Sequence, residues 1–309
     1  MFLKDLFGLE DYPLEALQEI LRRAAYFKKN QEDLIPSLEG KNIALSFWEP
    51  STRTRLSFEL AIKKLGGRVV NFLPEISSEN KGESIDDTVQ TLRSIGADAL
   101  VFRHSTPGIF NSVAQLLDIP FISGGEGCYQ HPTQALLDIF TLQESGLDLA
   151  GKQVVMIGDI VHSRVARSHF YALPLFGAKL TLVAPPSLLP PELVPAGASY
   201  FHHLEEAISD GDIIYLLRVQ KERQAKGYVP SLNEYAALYG LDEKRMSLLK
   251  KDALLMHPGP VNIGIEINWE VIKHFENIYP QRILFQEQVQ NGVFVRMAIL
   301  DLFLNGRGS

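Results

Sequence analysis

Short apolar runs alternate with helix-patterned segments along the chain. Ile43–Phe47, Arg68–Leu73, Ala99–Arg103 and Pro120–Ser123 come first; Val154–Ile157, Lys179–Val183, Ile213–Leu217 and Leu254–Met256 follow. Each has the length of a strand buried on both faces. Between the first two runs, Phe58, Ala61, Ile62 and Leu65 recur at the i, i+3, i+4, i+7 spacing of an amphipathic helix. The alternation predicts βαβ units, and so an α/β fold of two domains, each a parallel sheet flanked by helices. The acid-and-glycine segment ESGLDLAGK separates the two sets of runs, which predicts domains of residues 1–145 and 146–284. A last helix is expected over residues 285–304, where QVQNGVFVRMAILDLFL carries a continuous apolar face. Open parallel sheets bind ligands at the carboxyl ends of their strands, so the residues just after each run are where chemistry is expected.

The first such junction is the most informative. FWEPSTRTRLSFE, Phe47 to Glu59, leads from a strand into a helix. Pro50 disfavours helix at Glu49, and Ser51 is placed as the N-cap of a helix beginning near Thr52. First-turn amides lack intrahelical partners, so those of Thr52 to Arg55, with the hydroxyls of Ser51, Thr52 and Thr54, form a cradle for a phosphate-like anion. Arg53 and Arg55 stand roughly 200° apart around a helix, so one anion takes only one of them; Arg53 is the choice. The plain alternative is a capped surface helix with two solvated arginines.

Other junctions supply further polar groups. Arg103 ends the third run, where a guanidinium after buried residues needs a phosphate or carbonyl oxygen. His131 and Gln134, three residues apart at the start of the next helix, share a face. Arg164 opens a helix after GDIVHS, with Arg167 on the same side. Arg218 and Gln220 point the same way if RVQ continues its strand, so with Arg164 they suit a dicarboxylate. Gly259 and Pro260 in LLMHPGP fix an extended backbone whose carbonyls point outward, and a cis bond before Pro260 is compatible with proline. Lys81, in the polar segment PEISSENKGES, carries a mobile ammonium or is merely solvated. Gly158 invites a dinucleotide reading, but the G-x-G-x-x-G spacing is missing.

Composition narrows the choices. A chain of 309 residues favours two domains with their own cores. With 37 acidic against 30 basic residues the net charge is -7, which argues against a general nucleic-acid binder. No window reaches ~20 apolar residues, so no membrane span is expected, and the acidic N-terminal stretch is unlike a signal peptide and reads as a helix packed on the body. The one cysteine, Cys128, fits a reducing cytoplasm and is read as an inert thiol. His202 and His203 are adjacent and fall on opposite sides of a strand-like segment; no cluster has metal-ligand spacing, so neither metal nor cofactor is expected.

Taken whole, F-x-E-x-S-T-R-T-R-x-S-F-E resembles the carbamoyl-phosphate signature of the aspartate and ornithine carbamoyltransferases, and four further signatures follow in that family's order. The resemblance implies that Ser51, Thr52, Arg53 and Thr54 hold phosphate, that Thr54, Arg103 and His131 hold the carbamoyl oxygen, and that Gln134 with the carbonyls of Gly259 and Pro260 holds the carbamoyl nitrogen. It implies a site in the cleft between domains, a last helix packed back on the first domain, and a homotrimer in which Ser77 and Lys81 belong to a loop lent to the adjacent subunit. H-P-T-Q, R-V-Q-x-E-R and the absence of a cysteine at Pro258 match the aspartate branch, whose members act in pyrimidine synthesis. Arg164, Arg218 and Gln220 then take L-aspartate. Ile263 departs from the pattern, where relatives often carry arginine. Whether a trimer stands free, joins regulatory chains or docks on dihydroorotase is left open.

Overall fold

The computed structural model describes residues 4–72, 84–219 and 231–306. They form two compact units, Met1–Phe140 with Val289–Ser309, and Thr141–Gln288.

In the first unit the elements are α1 (Leu14–Lys29), β1 (Asn42–Phe47), α2 (Arg53–Lys64), β2 (Arg68–Phe72), α3 (Ile85–Ser94), β3 (Ala99–His104), α4 (Ile109–Gln115), β4 (Phe121–Glu126) and α5 (Pro132–Glu144), the last reaching into the second unit. The sheet order is β2-β1-β3-β4, and its strands pair in parallel. The chain therefore leaves β1 towards β2 on one side and returns to β3 on the other. The order reverses between β1 and β3, and in open parallel sheets it is at the carboxyl ends of such a pair that ligands bind. Phe47 pairs with Arg103 there, and the Trp48 amide donates to the Arg103 carbonyl at 2.8 Å. Beneath this end Phe102, Phe110 and Phe121 pack ring to ring at 4.9 to 5.6 Å among Ala44, Val89 and Leu100. Each such side chain contributes about 1.5–3 kcal/mol by leaving water. Glu126, buried at the end of β4, accepts from the Phe110 amide at 3.1 Å, satisfying the first turn of α4. Burial raises the Glu126 carboxyl, and the amides of residues 108 to 110 oppose the shift.

The second unit contains β5 (Gln153–Ile157), α6 (Arg164–Leu175), β6 (Lys179–Val183), β7 (Ser199–Phe201), β8 (Ile213–Leu216), α7 (Leu232–Tyr239), α8 (Glu243–Met246), β9 (Leu254–Met256) and α9 (Trp269–Ile278). Its parallel sheet runs β7-β6-β5-β8-β9, so its reversal lies between β5 and β8. Gly158 follows β5 with φ +132°, and a Cβ there would stand 3.0 Å from Leu217 Cβ and 3.1 Å from the Tyr235 hydroxyl. Close packing at the switch point and the positive φ account for a glycine here. The final helix, α10 (Phe285–Asn305), begins in the second unit and continues in the first, where Arg23 pairs with Asp301 at 2.6 Å.

Several expectations need correction. The cap of α2 is Thr52, not Ser51. Thr52 itself has helical dihedrals (φ -79°, ψ -60°), so its side chain does not fold back over the first amides, and no side chain caps the helix. β4 runs through Gly124 and Gly125 to Glu126, beyond the expected end at Ser123, because both glycines are buried in the sheet and not in a loop. β7 lacks an apolar run and was expected only as a strand-like segment at His202 and His203; the strand is three residues long and ends before them, at Phe201. The N-terminal helix starts only after Pro13; Leu6 before it pairs with Ile122 as an added sheet bridge.

Candidate active site

At the first switch point, three chain segments bring polar groups together. The open start of α2 presents half-buried Ser51, exposed Thr52 and Arg53, and buried Thr54. α3 and α6 differ: their N-cap serines accept from the third amide of the helix at 3.1 Å, which α2 leaves to other acceptors. Thr54 Oγ1 lies 3.3 Å from His131 Nε2, joining the start of α2 to the start of α5. His131 is 4% exposed, and its carbonyl accepts from the Gln134 amide at 2.9 Å, so it caps α5 while Pro132 occupies the first helical position. The Arg103 guanidinium is fixed from two sides, with Nε 2.6 Å from Glu49 Oε1 and Nη1 donating to the Gly124 carbonyl at 3.3 Å.

Gln134 is oriented by a partner that sequence reading missed. Its Nε2 donates to Asp138 Oδ1 at 3.0 Å. A carboxylate takes only the NH2 end of an amide, which leaves the Gln134 oxygen as the end suited to a ligand N–H. Behind these residues, Arg296 of α10 donates to Thr133 Oγ1 at 3.2 Å and lies 5.2 Å over the Phe58 ring. Burial pushes its guanidinium down to about 9, with Asp138 pulling the other way. One buried cation thus braces the helices that carry Thr54 and Gln134. Asp138 stands four residues from Gln134, a helical spacing that could have flagged it; Arg296 carried no local signal.

Four residues apart on α2, Arg55 and Glu59 share a side of the helix, and the Glu59 carboxyl is held below its usual range first by its bond from Lys63 and in smaller part by Arg55.

In the second unit, Arg164 is the first residue of α6 and Arg218 follows β8, both half-buried, at adjacent carboxyl ends across the switch point. Asp159, five residues before Arg164 and buried, accepts from the amide of His162 at 3.2 Å and contacts its Nδ1 at 2.8 Å, shaping the turn into α6. Gly259 has φ +64° and its bond to Pro260 is cis. Ser77, Lys81 and Gln220 lie outside the described residues. His202 is tied by Nδ1 to the Ala184 carbonyl at 2.9 Å, a backbone contact. Among the described residues no group of three or more His, Cys, Asp or Glu is arranged to hold a metal, and no helix is long and apolar enough to cross a membrane.

A separate cavity of about 350 Å³ opens at the amino ends of β1 and β3, lined by Lys41, Arg93, Asp98 and Asp118. Its cations are neutralised in place, Lys41 by Asp98 and Arg93 by Asp118, so it is poorly suited to an anion.

The model of the carbamoyl-phosphate-binding domain of aspartate/ornithine carbamoyltransferase matches residues 4–144, and that of its Asp/Orn-binding domain matches residues 150–303. The chain belongs to the aspartate/ornithine carbamoyltransferase family. An aspartate carbamoyltransferase catalytic subunit of Desulforudis audaxviator is 45% identical over 310 residues, covering 99% of both chains. An aspartate transcarbamoylase from Trypanosoma cruzi, solved with carbamoyl phosphate and aspartate, superposes with TM-score 0.84 at 30% identity over 96% of this chain and 95% of that one. An ornithine carbamoyltransferase from Thermus thermophilus gives 0.85 at 25% identity, over 99% and 100%. Both acceptor amino acids are thus represented among structures of similar fold, whereas the relatives at 45–46% identity are aspartate carbamoyltransferase catalytic subunits.

Proposed function

We propose that this chain transfers the carbamoyl group of carbamoyl phosphate to the amine of L-aspartate, releasing N-carbamoyl-L-aspartate and phosphate for pyrimidine synthesis. The observation that carries the reading is the uncapped start of α2, where Thr54 meets His131 and where β1, leading into that helix, pairs with the strand that carries Arg103. Ser51, Thr52, Arg53 and Thr54 hold the phosphate. Thr54, Arg103 and His131 donate to the carbamoyl oxygen, which gains negative charge as the carbon becomes tetrahedral. The Gln134 oxygen and the carbonyls of Gly259 and Pro260 take the carbamoyl NH2. Arg164, Arg218 and Gln220 hold the two carboxylates of aspartate, with Lys81 of a neighbouring copy completing the site.

The neutral amine attacks the carbonyl carbon; the C–O bond to phosphate then breaks, its electron pair staying on the phosphate oxygen. The departing phosphate takes the proton lost by the amine. No covalent enzyme intermediate, metal or cofactor enters, so the rate comes from positioning and charge stabilisation. A homotrimer in the cytoplasm is the assembly this scheme calls for, free or joined to regulatory chains or dihydroorotase. The single half-buried Cys128 is compatible with that compartment.

Ornithine as acceptor is the second reading, favoured only by the similarity in fold. His131-Pro132-Thr133-Gln134 and His257-Pro258-Gly259-Pro260 favour aspartate, as does a pair of arginines where the acceptor's extra charge would be negative. Phosphate release from carbamoyl phosphate, measured with aspartate, with ornithine and with no acceptor, tests this. Release is expected with aspartate alone; equal release with ornithine would overturn the assignment.

A further inference from the structure

The mechanism above leaves unused a buried carboxylate in the second unit. Glu266 is 2% exposed and receives four donors. Its Oε1 accepts from the Val219 amide at 2.7 Å and from Asn262 Nδ2 at 2.7 Å. Its Oε2 accepts from the Asn262 amide at 2.6 Å and faces His257 Nε2 at 3.1 Å. Asn262 Nδ2 also reaches the Val219 carbonyl at 3.2 Å. The ring of His257, itself buried, accepts the Gly259 amide at Nδ1 at 2.7 Å. With Nδ1 acting as acceptor, a neutral ring carries its proton on Nε2 and donates it to Glu266.

The sequence positions of these donors give the network its meaning. Val219 directly follows Arg218, and Gly259 and Pro260 lie between His257 and Asn262. One carboxylate is thus bonded to the segment after β8 and to both flanks of the turn after β9. Burying a carboxylate costs several kcal/mol unless its acceptor sites are filled, and an apolar side chain of similar volume would fill the space without that cost. What the carboxylate adds is direction: it ties the backbone next to Arg218 to both flanks of the Gly259–Pro260 turn.

We propose that Glu266, acting through His257, is a positioning residue for the transfer, setting the aspartate-binding arginine in register with the backbone that holds the carbamoyl nitrogen. This inference rests on the function proposed above. An error of about 1 Å in such a register costs about 100-fold in rate.

The test uses the full-length protein and reads N-carbamoyl-L-aspartate formation together with inorganic phosphate binding measured without aspartate. Glu266→Gln keeps the shape but turns an NH2 towards two donors. It is expected to lower kcat/KM for aspartate by about 100-fold, mostly through a higher KM, and to leave phosphate binding within about twofold. His257→Gln places an amide N–H near the Nε2 position, facing Glu266, and loses the acceptor for Gly259; His257→Asn does the reverse. His257→Gln is expected to keep more aspartate affinity than His257→Asn, a ranking that carries the test even if Glu266→Gln does not fold. Activity of Glu266→Gln within about twofold of the parent, a parallel loss of phosphate binding, or the opposite ranking of the histidine variants would overturn the proposal. A parent protein that forms no carbamoylaspartate would instead overturn the function on which it rests.

Discussion

Arg103→Ala is expected to lower kcat for carbamoyl transfer by about 100- to 1000-fold, the loss typical of removing one donor from a developing oxyanion. The guanidinium stands one residue before the end of β3 at the switch point and is held by Glu49 at 2.6 Å and by the Gly124 carbonyl, so it enters the reaction already oriented. Its removal has a second effect. Glu49 is left as a largely buried carboxylate without its cation, with a side chain only 15% exposed. Breaking such a pair from one side typically costs about 3–5 kcal/mol of stability. The two effects separate in the double variant Glu49→Gln with Arg103→Ala, which should regain most of the melting temperature and none of the rate. Recovery of turnover along with stability would mean that Arg103 matters for folding alone.

Arg53→Ala is expected to lower kcat/KM for carbamoyl phosphate by about 100-fold, and Arg55→Ala by less than about threefold. A charge-assisted bond is worth about 1.5–3 kcal/mol, and the phosphate carries most of the substrate's charge. The two arginines stand on opposite sides of α2, and Arg55 adds to the field that keeps Glu59 ionised. Comparable losses, measured by steady-state kinetics with carbamoyl phosphate varied, would contradict the facing of this helix.

Much of this arrangement was legible in the chain because it is local. The strands are continuous apolar runs, and the strand-to-helix junctions at Phe47–Arg53 and Gly158–Arg164 carry their polar residues within a few positions. Sheet order then places those junctions at the points of reversal, which no local pattern states. What sequence could not show is the bracing around the site. Arg296 reaches Thr133 across 163 residues, and Glu266 reaches Val219 across 47. A buried charge in a sequence looks like a surface charge until the fold supplies its partners. The cap of α2 was misplaced for a related reason: Ser51 has the right chemistry, but the dihedrals of Thr52 decide where the helix begins. The bounds of β7 escaped because a three-residue exposed edge strand has no periodicity to detect.

The central claim is that the amide-rich start of α2 takes the phosphate end of carbamoyl phosphate. A crystal structure of the protein soaked with carbamoyl phosphate tests it most directly. The account predicts phosphate oxygens within about 2.7–3.2 Å of the first-turn amides and of Thr54 Oγ1, with the carbamoyl oxygen facing Arg103 and His131. Phosphate found in the groove lined by Lys41 and Arg93, with the start of α2 left to solvent, would contradict it.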